Sequence, residues 1–70
     1  MKVILYTIDC PKCKILEAKL NQKKINYTKI TDVSVMEQKK YFTLPILEVD
    51  DKTMPYREAV KWVNSQEVGD

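Results

Sequence analysis

Val3-Ile4-Leu5-Tyr6 is the longest unbroken apolar run in the chain, and it does not alternate with polar residues. A strand that is apolar on both sides needs cover on both sides. A chain of 70 residues has room for one such sheet and no second core. The run therefore points to a single domain over residues 1–70, built in α/β layers around a central strand. Hydrophobic residues make up 44% of the chain, and 12 basic residues stand against 10 acidic ones. That is too apolar and too evenly charged for a disordered chain.

Around this strand, read as Lys2 to Thr7, the pattern changes period several times. From Pro11 to about Lys24 it turns helical. Cys13, Leu16 and Leu20 recur at three- and four-residue steps on one face, with Lys12, Lys19 and Lys23 opposite. Pro11 suits the first helical position, where its missing N–H costs nothing. Ile25 to Ile30 reads as a second strand, parallel to the first across a βαβ connection. Ser34 and Glu37 have the spacing of a capping box and would open a short helix reaching to about Tyr41. Thr43-Leu44-Pro45 ends that helix. Ile46 to Val49 reads as a third strand, Asp50-Asp51-Lys52 as a hairpin turn without the expected glycine, and Thr53-Met54 as a short fourth strand. Tyr56, Ala59, Val60 and Val63 fall at helical spacing and predict an amphipathic last helix, starting near Pro55 or Tyr56 and fraying before Val68-Gly69-Asp70. The expected order is β-α-β-α-β-β-α, a four-stranded mixed sheet with helices on both faces.

The two cysteines, Cys10 and Cys13, open the first helix. A bridge across so short a loop removes little entropy from the unfolded chain, so it is a poor staple. It makes better chemical sense. The spacing brings both sulfurs within disulfide reach, leaves Cys10 at the exposed helix end and turns Cys13 inward with Leu16 and Leu20. The free N–H groups and the positive dipole end of the helix then face the Cys10 sulfur, and Lys12 and Lys14 add positive charge. All of this favours thiolate over thiol. Cys10 would attack a substrate disulfide and Cys13 would resolve the mixed disulfide. Three other readings stay open. The pair could be half of a zinc or iron–sulfur site completed by a second chain, an inert buried pair, or an incidental feature of a partner subunit. The chain has no His, which excludes Ser-His-Asp and Cys-His catalysis and the usual His-containing zinc sites. We expect no metal site. Stoichiometric metal with both thiols protected would mark the binding module, and rapid alkylation of Cys10 alone the redox site.

Tyr6-Thr7-Ile8-Asp9-Cys10-Pro11-Lys12-Cys13, followed by Thr43-Leu44-Pro45, resembles the glutaredoxins of the thioredoxin superfamily, and the order of elements matches over about residues 2–66. The resemblance implies a thioredoxin-like fold and a dithiol–disulfide oxidoreductase. It makes Cys10 the nucleophile, Cys13 the resolver, and Pro45 a cis proline that shapes the site. The backbone of Leu44 would then pair with an extended substrate segment. It also implies a contact from Gln38 toward the glycine carboxylate of glutathione; Tyr6 and Lys12 are read from their own positions as substrate contacts, Lys12 either pairing with a carboxylate of a bound peptide or only tuning Cys10. It implies a disulfide-containing protein substrate, ribonucleotide reductase being one such acceptor, and glutathione or thioredoxin reductase as the electron source, with no tightly bound cofactor. Two departures stand out. Lys12 replaces the family's usual aromatic. Thr53-Met54-Pro55-Tyr56-Arg57-Glu58 has no glycine where glutathione-using members usually carry a Gly-Gly pair. Pro55 lacks a backbone donor and Tyr56 adds bulk, so glutathione is expected to serve less well.

The remaining features are read blandly. A net charge of +2, spread along the chain, argues for neither nucleic acid nor a membrane surface. Lys39-Lys40-Tyr41-Phe42 reads as a solvated helix face, Trp62 as half-buried core, and Tyr6 as a strand-end aromatic that packs as readily as it lines a groove. Asp9 opposes a thiolate if it points at the sulfur and is neutral to the chemistry if it caps the helix. The N-terminal residues have no apolar stretch of signal-peptide length. A monomer in the reducing cytoplasm is expected, where an exposed dithiol is more often catalytic than structural.

Overall fold

The computed structural model describes residues 2–67. It has the element order β1 (Val3–Tyr6), α1 (Pro11–Gln22), β2 (Thr28–Ile30), α2 (Val33–Gln38), β3 (Ile46–Val49), β4 (Lys52–Pro55) and α3 (Tyr56–Ser65). The strands form one sheet in the order β2-β1-β3-β4. β1 runs parallel to β2 and antiparallel to β3, and β3 forms an antiparallel hairpin with β4. The apolar run of β1 is thus an interior strand, as its lack of alternation requires. The α/β class, the mixed four-stranded sheet and its three helices follow the sequence reading.

The pleat sorts the side chains into two cores. Val3 and Leu5 of β1 join Leu47, Val49 and Met54 under α1 and α3, which supply Leu16, Leu20, Ala59 and Val63. Ile4 and Tyr6 face the other way, toward Ile46 and the Met36 and Val35 of α2. The second face is smaller and more polar. Glu48 of β3 is buried there, accepting hydrogen bonds from Tyr41 Oη at 2.7 Å and Lys39 Nζ at 3.2 Å. Burial pushes the Glu48 pKa upward, but these two donors outweigh it and hold the carboxyl below its ordinary value. Trp62 is half-buried against the larger core, as expected.

Several boundaries differ from the sequence reading, those of β2 and α2 most tellingly. The second strand is confined to Thr28–Ile30, because α1 ends in a turn that uses Ile25. Lys24 adopts φ 55°, its N–H donates to the Asn21 carbonyl, and the Ile25 N–H donates to Leu20. That is a Schellman motif with a lysine in the glycine position, and Ile25 packs against the core that holds Leu20. The cap of α2 is Asp32 and not Ser34: the Asp32 carboxylate accepts from the Ser34 N–H at 2.9 Å. The helix therefore starts two residues earlier than a Ser34–Glu37 box would place it. It also ends sooner, in a second Schellman motif. There Lys40 has φ 62°, its N–H donates to Glu37, and the Tyr41 N–H donates to Met36. The hairpin turn has the positive φ anticipated for it, at both Asp50 (48°) and Asp51 (73°). The expected fraying at Val68-Gly69-Asp70 falls outside the described residues.

Candidate active site

The sequence places Cys10 at the N-cap of α1, and the structure keeps it there. Pro11 occupies the first helical position, and Cys10 has extended backbone with φ −139°. Its Sγ accepts a hydrogen bond from the Cys13 N–H at 3.2 Å. A cap is ordinarily an oxygen that takes up one of the free donors of the first turn. Here a sulfur takes that place, so the sulfur sits where the helix is most positive. Cys10 and Cys13 form a disulfide, with Cα atoms 5.1 Å apart. Cys13 is fully buried on the Leu16–Leu20 face, whereas Cys10 keeps partial exposure. One sulfur is reachable from solvent and its partner lies behind it.

Asp9 neither caps the helix nor stands alone. Its carboxylate lies 3.2 Å from Lys14 Nζ, with both side chains largely exposed. The negative charge nearest the pair in sequence thus has a counter-ion. Lys12 is free of such a partner among the described residues and lies over the Tyr56 ring, 5.6 Å from its centroid. This contact joins the first turn of α1 to the first turn of α3, and bridges two segments far apart in sequence.

Lys12 and Tyr56 line a surface groove of about 500 Å3 together with Thr43, Arg57, Val60 and Lys61. Thr43 leads into Leu44 and the Leu44–Pro45 peptide, which is cis, with Pro45 buried. The structure therefore brings Lys12, beside the cysteines, to the same groove as the start of the Thr43-Leu44-Pro45 segment. Leu44 itself is partly buried and packs on the smaller core.

Two sequence candidates lie elsewhere. Tyr6 is only 2% exposed and stacks edge-to-face with Tyr41 at 5.0 Å, in the smaller core. It takes the packing role of a strand-end aromatic and has no surface to offer a substrate. Gln38 is exposed at the end of α2 and does not line the groove. Conversely, Arg57 and Lys61 were not singled out from the sequence. Their signal was present: two cations four residues apart on the last helix necessarily share a face. What the sequence lacked was the knowledge that this face meets Lys12.

Among the described residues no group of three or more cysteine and carboxylate side chains is placed to hold a metal, and no helix is long and apolar enough to cross a membrane. In comparisons with known proteins, no family model, no curated protein and no solved structure matches the chain.

Proposed function

We propose that the protein is a dithiol–disulfide oxidoreductase of glutaredoxin type with a thioredoxin-like fold, working in a reducing compartment such as the cytoplasm. The observation that carries this reading is the sulfur cap: a partly exposed Cys10 Sγ, held by a helix N-terminal amide and bonded to a buried Cys13. The element order, the parallel β1–α1–β2 unit and the cis Leu44–Pro45 peptide support it.

In the reduced protein the Cys10 thiolate attacks one sulfur of a substrate disulfide. A Cys10–substrate bond forms, the substrate S–S bond breaks, and the other substrate sulfur leaves as a thiolate. The Cys13 thiolate then attacks the Cys10 sulfur, and the second substrate sulfur leaves. Two electrons have passed from the dithiol to the substrate, and the two protons of the original thiols end on the substrate thiols. The protein is left with the Cys10–Cys13 disulfide seen here. A thiol reductant, glutathione or a reductase dithiol, restores the starting state. The helix amide that Cys10 accepts stabilises its sulfur while charged, both as attacking nucleophile and as leaving group.

The test uses pre-reduced protein and a disulfide-linked peptide. The intact protein should reduce one equivalent of peptide disulfide and return with Cys10 joined to Cys13. Cys13→Ser should stop at a mixed disulfide on Cys10, visible by mass spectrometry. Cys10→Ser should not react. Retained reduction by Cys10→Ser would overturn the assignment. Recycling in parallel with glutathione and with thioredoxin reductase identifies the electron source, and the glutathione arm should be the slower.

A further inference from the structure

The groove beside the cysteines has an unbalanced lining. Three of its side chains are cations, Lys12, Arg57 and Lys61, and none of the lining residues is a carboxylate. All three cations are exposed, and among the described residues none is engaged in an ion pair. The ion pairs made by α1 lie outside the groove: Asp9 with Lys14, and Glu17 with Lys29. Glu58 follows Arg57 and stands three residues before Lys61, a neighbouring position on the helix, but it forms no ion pair with either and does not line the groove. The floor between the cations is apolar, formed by the half-buried Tyr56 and Val60.

A chain with a net charge of only +2 thus concentrates three positive charges over one apolar floor, in a groove lined by Lys12 of the Cys10–Cys13 turn. We propose that this groove selects the substrate: it receives an acidic segment of polypeptide flanking the disulfide that Cys10 attacks. Carboxylates of the segment pair with Arg57, Lys61 and Lys12, and an apolar side chain between them lies on Tyr56 and Val60. Arg57 and Lys61 are four residues apart on one helix face, about one turn. An extended strand covers that distance in two residues, so acidic residues at alternate positions would meet both cations. The inference rests on the dithiol reading above and adds the substrate class to it.

Three peptides of equal length test it, each a homodimer linked through one cysteine. The residues flanking the cysteine are Asp and Glu in the first, Asn and Gln in the second, and Lys in the third. Pre-reduced protein is mixed with each under single-turnover conditions. Each rate is divided by the rate of dithiothreitol with the same peptide, which removes the intrinsic reactivity of the disulfide. At low ionic strength the acidic peptide should exceed the neutral one by about tenfold and the basic one by more. The preference should shrink steeply as salt screens the groove. In the Arg57→Gln/Lys61→Gln variant the acidic-to-neutral ratio should fall to near one, and in Arg57→Glu/Lys61→Glu the order should invert toward the basic peptide. Equal normalised rates for all three peptides, or a preference that survives both variants, would overturn the inference and leave the dithiol reading intact. No reduction of any peptide would overturn both.

Discussion

Replacing Lys24 and Lys40 by glycine should stabilise this protein. Each lysine follows a helix in left-handed backbone, with φ of 55° and 62°. A Cβ in that region approaches the following carbonyl oxygen and costs about 1–2 kcal/mol. Glycine removes the clash but widens the unfolded ensemble, an opposing cost of about 0.5–1 kcal/mol. The balance of the central values is a gain of about 0.7 kcal/mol at each site. The two motifs end helices on opposite faces of the sheet, so their effects should add to about 1–2 kcal/mol. In a domain of this size each 1 kcal/mol moves Tm by about 4–8 °C, so the double variant should melt at least about 4 °C above the parent. Thermal unfolding followed by far-ultraviolet circular dichroism, with the disulfide closed and with it reduced, reads this directly. Lys24→Ala is the control: it removes the same charge but keeps the Cβ, so it should gain nothing. A double-glycine variant melting at or below the parent, or an alanine variant that matches the glycine one, would refute the argument that left-handed strain is stored at these ends.

Other consequences follow from the same geometry. Asp50→Asn with Asp51→Gly places the preferred pair in a turn whose φ values are 48° and 73°. It keeps the oxygen that accepts the Lys2 N–H at 2.7 Å, so a gain of about 0.5–1 kcal/mol is expected in urea denaturation. Asp32→Ala should cost about 0.5–2 kcal/mol, while Ser34→Ala should stay within about 0.5 kcal/mol, because the cap oxygen belongs to Asp32. Glu48→Gln should lose about 1–2 kcal/mol at pH 7, since hydrogen bonds to a charged acceptor are the stronger kind. The Glu48 carboxyl is held below its ordinary value, so its stabilisation is complete above the unfolded-state pKa of about 4.3 and is lost as pH falls through the depressed folded value. The gap between parent and Glu48→Gln should therefore close as urea titrations move from pH 7 toward pH 3. A constant gap would refute the assignment of that carboxylate.

The fold was legible where one physical effect dominated. Val3–Tyr6 lies between β2 and β3, and its unalternating apolar run said so. Pro11, ahead of a helical apolar pattern, suited the first helical position, which put Cys10 at the cap and Cys13 inside. The misplaced α2 cap shows the opposite case. Asp32 and Ser34 are both good caps, two residues apart, and a pattern gives no means to choose between them until the following helix packs Met36 inward. The shortened β2 has a similar cause. Ile25 is apolar and β-branched, which reads as strand, yet it closes the end of α1. Positive φ at lysine was invisible because the usual marker is glycine, and the chain's single glycine is Gly69. At the site, the cysteines were local in sequence and easy to read. The groove was not, because Lys12, Thr43 and Arg57 meet only through the tertiary fold.

The two faces of the sheet are unequally anchored. One carries two long helices and most of the apolar interior; the other carries α2, six residues long, with Met36 as its one buried residue and the polar Lys39–Tyr41–Glu48 cluster beside it. Local opening begins where apolar contacts are fewest, so backbone amides of α2 and of the segment after it should exchange with deuterated solvent well before those of α1 and α3. That segment runs directly into Thr43, which lines the groove, while both sulfurs sit at the start of the tightly held α1. The molecule can thus breathe on the Thr43 side of the groove and stay rigid on the side that carries the disulfide.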